Sequence, residues 1–314
     1  MKILLLLLVF LGAGAGADCY KILGLFGHPG YSHYSTFKPI LSGLSERGHN
    51  LTVLGHFPTK SDNYRYIPLK HLAREPRHYF GFDTNLKRSW YEKYIAAYSI
   101  FELAKIPCET ALSLKEYQDL LRGDESYDLI IAEFFNTNCM LLPLVEKFKI
   151  PFIGVQSHAL MSWTNDFVGN PYNPSYIPNV YMGESNPMTF LQRMDNMFMI
   201  LVDNFLFDYM ENAIKVLTKT ILGDNFLLPS NIMLSTSLIL ANTHFTIHGA
   251  RPLVPNIIEI GGIHIGEGKR LPLEVSEKIK AHGKPKYTSY ITCTSNKIAF
   301  IHNPASNRLD KEQF

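Results

Sequence analysis

Lys21-Ile22-Leu23-Gly24-Leu25-Phe26, followed at once by Gly27-His28-Pro29-Gly30-Tyr31-Ser32-His33, decides how the chain is read. The first six residues are a short apolar run and the next seven a glycine-rich turn. Phe37, Ile40, Leu41 and Leu44 then recur at helical spacing, Gly48 is a stop, and Leu51-Thr52-Val53-Leu54 is a second apolar run. Strand, tight loop, helix and strand make a βαβ unit, since parallel strands need a crossover of about a dozen residues or more. Ligands of open α/β sheets sit outside the carboxyl ends of the strands. The loop from Gly27 to His33 therefore falls where a cleft is expected, and His33 enters it at the start of a helix.

The same pattern continues outward. Residues 58–87 carry many Tyr, Arg, Lys, Pro and Asp without a period, which reads as a long loop or short strands over the sheet's edge. Trp90, Tyr94, Ala97, Phe101 and Ala104 mark an amphipathic helix expected to stop before Pro107. A short helix, Leu114 to Leu121, precedes the run Tyr127-Asp128-Leu129-Ile130-Ile131-Ala132-Glu133, a strand buried on both faces that ends in an acid. Asn136 to Phe148 is helical, and Pro151-Phe152-Ile153-Gly154-Val155 is the next strand. Pro171, Pro174 and Pro178 stiffen a loop over 169–182, and a long helix follows from Met188 to Thr220, its apolar stripe read as packed core. Leu238 to Asn242 and Ile257 to Ile260 supply the last strands. The fold class is α/β, a Rossmann-like doubly wound parallel sheet. Beyond Ala281 no period is sustained, so residues 18–270 read as one domain and 271–314 as a linker stub with an irregular tail.

Residues 1–17 read as a signal peptide: Met1-Lys2, an apolar core from Ile3 to Leu11 too short to span a bilayer, then Ala15-Gly16-Ala17 before Asp18. This implies the secretory pathway, either the endoplasmic reticulum lumen or secretion, and no membrane anchor is read in these residues. Removing Lys2 with the leader leaves 29 basic against 28 acidic residues, no polycation to favour nucleic acid. Cys19, Cys108, Cys139 and Cys293 are too scattered for a disulfide-built domain or a zinc site. One bridge between an unspecified pair is possible; mostly buried thiols are the simpler expectation. Asn50-Leu51-Thr52 is a glycosylation sequon at the mouth of a strand.

Several chemistries fail on spacing. Gly24, Gly27 and Gly30 run G-x-x-G-x-x-G rather than G-x-G-x-x-G, and the second strand ends Gly55-His56-Phe57 without a ribose-binding acid, which disfavours a nicotinamide or flavin enzyme. Gly30-Tyr31-Ser32 lacks the lysine of a phosphate-binding P-loop, and no Gly-x-Ser-x-Gly elbow is present. What remains is His33 at one strand end and Glu133 at another on the same rim. An imidazole can take a proton from a hydroxyl while a carboxylate fixes its tautomer. The simpler role for Glu133 is to cap the helix that follows it.

Gly30-Tyr31-Ser32-His33, Leu44-Ser45-Glu46-Arg47-Gly48-His49, the 127–133 run, Asn173-Pro174-Ser175-Tyr176-Ile177-Pro178 and Pro255-Asn256-Ile257-Ile258-Glu259-Ile260-Gly261-Gly262-Ile263-His264 occur in order over residues 20 to 275. In this the chain resembles the amino-terminal half of the UDP-glycosyltransferases of arthropod type. The resemblance implies the acceptor-binding domain of a two-domain GT-B enzyme. It implies inverting transfer of a hexose from a UDP-sugar to the hydroxyl of a small lipophilic acceptor, with neither metal nor cofactor. Carried over, His33 is the general base and Glu133 stands where many relatives have an aspartate that orients it. Trp90, Phe101, Phe135 and Trp163 are candidates for an apolar acceptor pocket built from 58–107 and 158–195, with core packing the competing role. The donor motif the resemblance implies is built around Trp-x-Pro-Gln, and the only tryptophans are Trp90 and Trp163. The expectation is therefore a carboxy-terminal donor domain missing from these residues, and little or no transfer by them alone. The alternative is a non-catalytic lumenal acceptor-binding protein or a partner of full-length relatives.

Overall fold

A computed structural model describes residues 19–59, 62–69, 90–135, 138–182, 187–223, 228–229, 231–266, 290–294 and 297–301. The leader expected at 1–17, most of the segment after Leu69 and the end of the tail lie outside the described residues.

Seven strands form one sheet in the order β3-β2-β1-β4-β5-β6-β7: β1 (Lys21–Phe26), β2 (Asn50–Gly55), β3 (Tyr64–Pro68), β4 (Leu129–Glu133), β5 (Phe152–Gln156), β6 (Leu238–Ala241) and β7 (Ile257–Glu259). Every neighbouring pair is parallel. The first crossover is α1 (Tyr31–Glu46); α2 (Glu92–Ser113) and α3 (Lys115–Arg122) lead into β4, and α4 (Asn138–Phe148) into β5. Between β5 and β6 lie α5 (Ser162–Asp166) and α6 (Phe190–Leu222), and α7 (Phe245–His248) precedes β7. The chain builds outward from β1 through β2 and β3, then returns to the other side of β1 with β4. The switch point is thus the β1/β4 pair, where Leu25 stands against Ala132.

Side chains alternate between two buried layers, as the period of a strand requires. Ile22 and Phe26 of β1 face Phe37, Leu41, Leu51, Val53, Ile131 and Val155. Leu23 and Leu25 join Ile130, Ala132, Phe152 and the residues buried from α2, α4 and α6. Gly154 is required here, since a Cβ at that position would lie 2.2 Å from the Phe134 ring.

The structure corrects several expectations. For the edge segment, expected as a long loop or short strands, the strand alternative holds, with β3 paired along β2. α2 does not stop before Pro107 but runs to Ser113. A proline inside a helix costs about 3 kcal/mol; here Phe101, Cys108, Ala111 and Leu112 are buried and α2 lies along α6, so packing offsets the loss. Cys108 of α2 is disulfide-bonded to Cys139 of α4, with Cα atoms 5.7 Å apart, whereas buried thiols were the simpler expectation; Cys19 is an exposed thiol. α6 starts where Thr189 and Gln192 form a capping box. Its inner face buries Met199, Leu206, Phe207, Met210 and Ile214, but its outer face leaves Phe190, Met194, Phe198, Leu201 and Phe205 exposed, so the apolar stripe is only partly core. Among the described residues no helix is long and apolar enough to cross a membrane.

The chain divides into two compact units, Met1–His264 and Ile265–Phe314. The second contains β8 (Tyr290–Thr294) and β9 (Lys297–Ile301), an antiparallel pair in a stretch where the sequence showed no sustained period.

Candidate active site

The loop after β1 is held in place by its own backbone. Gly30 precedes α1 and its carbonyl accepts from the N–H groups of His33 and Tyr34 at 3.1 and 3.3 Å. The Gly30 N–H donates to His28 Nδ1 at 2.9 Å, and a Cβ on residue 30 would lie 2.7 Å from the His28 ring, so the turn needs glycine. From the end of β2, His56 Nε2–H donates to the Gly27 carbonyl at 3.1 Å.

This brings His33, in the first turn of α1, over the carboxyl end of β4. His33 Nδ1 meets Glu133 Oε1, and the His28 backbone N–H donates to Glu133 Oε2 at 3.3 Å. Glu133 is fully buried, while the His33 side chain keeps 17% of its exposure. Ser157, just beyond β5, puts its hydroxyl 2.8 Å from the same Nδ1. Among the described residues nothing hydrogen-bonds His33 Nε2, the nitrogen on the ring's other side. The His28 ring stacks on the His33 ring with centroids 3.7 Å apart.

Burial dominates the electrostatics. It pushes the Glu133 carboxyl up to about 8, partly opposed by His28, and the His33 imidazole down to about 4. It also lowers His28 and His158 to about 4, with the neighbouring His33 adding to the effect on both. The site thus resists net charge in either direction.

The candidate pocket residues separate. Phe135 lies at the site, its ring centroid 5.1 Å from that of His33 and 4.8 Å from that of His158. Phe101 and Trp163 are in the core: they contact each other at 5.2 Å, and Trp163 stacks on Phe207. Trp90 is 76% exposed beside Tyr91 and Tyr94. An apolar recess of about 430 Å³ between α2 and α6 is lined by Cys108, Tyr209, Met210, Ile214 and Leu217 and includes none of the four.

Ligating atoms of His28, His33 and Glu133 lie within 4.8 Å of one another. An ion held by both imidazoles would have to lie in both ring planes, yet the rings are stacked only 13° from parallel, and His33 Nδ1 and Glu133 already occupy each other. The trio fits a shared proton better than a shared metal.

Sequence reasoning passed over His28, Ser157 and His158. The available signal was position: Ser157 and His158 directly follow β5, as Glu133 ends β4.

Residues 25–288 match the family described as "UDP-glucoronosyl and UDP-glucosyl transferase". The chain belongs to this family. Among curated members, UDP-glycosyltransferase UGT5 of Dactylopius coccus is 34% identical over 275 residues, covering 85% of this chain and 52% of the relative. UDP-glucuronosyltransferase 1A9 of Homo sapiens is 27% identical, covering 81% and 49%. The higher identity to the Dactylopius coccus sequences places the chain with the arthropod-type members. It spans about half the length of these family members. Among solved structures, glycosyltransferase SnogD from Streptomyces nogalater aligns with a TM-score of 0.39 at 12% identity, covering 82% of this chain and 55% of that one; a likeness so distant bears no weight in the argument.

Proposed function

We propose that this family member supplies the acceptor-activating half of an inverting GT-B UDP-glycosyltransferase, with His33 as general base and Glu133 as the carboxylate that orients it. The observation that carries the reading is the His33 Nδ1 contact with Glu133 at the switch point of the sheet, together with an Nε2 that no described residue occupies. The acceptor hydroxyl gives its proton to Nε2 as its oxygen attacks the anomeric carbon, and UDP leaves from the opposite face. No covalent intermediate is needed, and neither metal nor cofactor enters this step; the UDP-sugar is a substrate. Phe135 supports a lipophilic aromatic acceptor. The leader-like first residues and the Cys108–Cys139 bridge support a secretory-pathway lumen.

A positioned base contributes about 10²–10⁴-fold, whereas orienting a second reactant is worth about 7–11 kcal/mol. No tryptophan follows Trp163 in the 314 residues, so a Trp-x-Pro-Gln donor motif is not among them. The 314-residue polypeptide alone is expected to bind a phenolic acceptor by calorimetry but not to turn over UDP-glucose above background. Turnover that His33→Ala abolishes would overturn the inertness; a folded chain that binds no acceptor would overturn the acceptor-half reading. The exposed apolar face of α6 favours a second reading, a non-catalytic acceptor-binding partner of full-length relatives. On that reading, completing the chain with a donor half gains no turnover.

The pH dependence follows from the direction of the Glu133 shift. Between about 4 and 8 the pair keeps the carboxyl protonated and the imidazole neutral, and the proton on Glu133 favours the ring tautomer with Nε2–H, which cannot act as a base. Loss of the carboxyl proton lets Glu133 accept Nδ1–H and frees Nε2. In the completed enzyme, kcat/KM is expected to rise about tenfold per pH unit up to a plateau above about 8. Glu133→Gln is expected to remove that rise. A profile that is flat from 6 to 9, or unchanged in Glu133→Gln, contradicts it.

A further inference from the structure

We propose that Ser157 is a positioning residue of this site, whose hydroxyl holds the proton of His33 on Nδ1 and so keeps the Nε2 lone pair turned to the acceptor. The inference rests on the reading of His33 as the base.

Ser157 Oγ lies 2.8 Å from His33 Nδ1, the nitrogen that also meets Glu133. Its location is set by strand ends. β5 pairs with β4, with Glu133 opposite Val155, so Ser157 leaves the rim beside the carboxylate. Asn242, just beyond β6, fixes it from the other side: its Nδ2 donates to the Ser157 carbonyl at 2.9 Å and its backbone N–H donates to the Gln156 carbonyl at 2.9 Å. The same Nδ2 reaches Thr36 Oγ1 of α1 at 3.5 Å, so one amide bridges the Ser157 backbone and the helix that bears His33. The backbone of Ser157 is thus anchored without its hydroxyl, whose one described partner is the imidazole.

A carboxyl group accepts Nδ1–H most strongly when it is ionised. When protonated it donates to Nδ1 instead, the ring proton moves to Nε2, and the base is blocked. A serine hydroxyl can donate to Nδ1 or accept from Nδ1–H, but with the one Nδ1 lone pair taken by a protonated Glu133 it gains a hydrogen bond to the ring only by accepting from Nδ1–H, and so it raises the share of the competent tautomer. During transfer the acceptor O–H bond breaks and Nε2–H forms. Nδ1 keeps its proton, and the imidazolium so formed has two oxygens facing that proton. No proton passes to Ser157.

The test is long-range ¹⁵N–¹H correlation on the 314-residue chain with labelled histidine, titrated from pH 6 to 9. A single hydrogen bond is worth about 0.5–1.5 kcal/mol, so Ser157→Ala should shift the His33 tautomer ratio toward Nε2–H by about threefold to tenfold. Ser157→Thr should restore the wild-type ratio, and Ser157→Cys, near-isosteric with a weaker hydrogen-bonding group, should shift it in the same direction as alanine. Unchanged His28 and His158 signals report an intact site. A Ser157→Ala or Ser157→Cys spectrum that matches wild type throughout, or a threonine variant that fails to restore, overturns the inference. If the serine variants behave as expected but His33→Ala leaves transfer intact in the completed enzyme, the base reading has failed instead.

Discussion

Replacing His33 by alanine, in a chain completed with the part of UGT5 from Dactylopius coccus that it does not match, lowers kcat for transfer by about 10²–10⁴-fold and leaves the acceptor KM within about threefold. The asymmetry follows from the site. Nε2 acts on the acceptor hydroxyl as its proton leaves, an interaction that grows toward the transition state. Apolar contacts that hold the acceptor, by contrast, are the same for ground and transition states. Steady-state kinetics with one phenolic acceptor separates the two: a loss confined to KM would make His33 a binding group.

Trp163→Ala is expected to lower folding stability by about 3–5 kcal/mol, read by chemical denaturation. Trp163 is only 5% exposed and its indole stacks on Phe207 at 5.3 Å and contacts Phe101 at 5.2 Å, so its removal leaves a cavity where α5 meets α6 and α2. Trp90→Ala, at an exposed position, should change stability by no more than about 0.5 kcal/mol. Acceptor affinity that falls in Trp163→Ala with stability unchanged would return Trp163 to the pocket.

The two tryptophans show what the sequence could and could not say. Short apolar runs ending at Phe26, Glu133 and Val155 mark the parallel strands, because a strand buried on both faces has to be largely apolar. The rim shared by residues 33 and 133 followed from that topology. An aromatic side chain, however, is equally at home in a core and in a pocket, and its local sequence does not separate them. Trp163 and Phe101 went inward, Trp90 outward, and Phe135 alone came beside the imidazole. Pro107 misled for a related reason: its cost is local, and the packing of α2 against α6 that offsets it is not. The Cys108–Cys139 bridge depended on α2 and α4 being neighbours, which 31 residues of separation could not reveal. Ser157 is a small polar residue among many, and only the strand end beneath it marks it.

The most direct measurement compares His33→Ala with wild type across acceptors of graded acidity. If His33 removes the hydroxyl proton, an acceptor already ionised at the assay pH needs no base. The rate deficit should then shrink from about 10²–10⁴-fold for an alkyl alcohol to about tenfold or less for a nitrophenol. A deficit of the same size for both acceptors would contradict a proton-accepting His33.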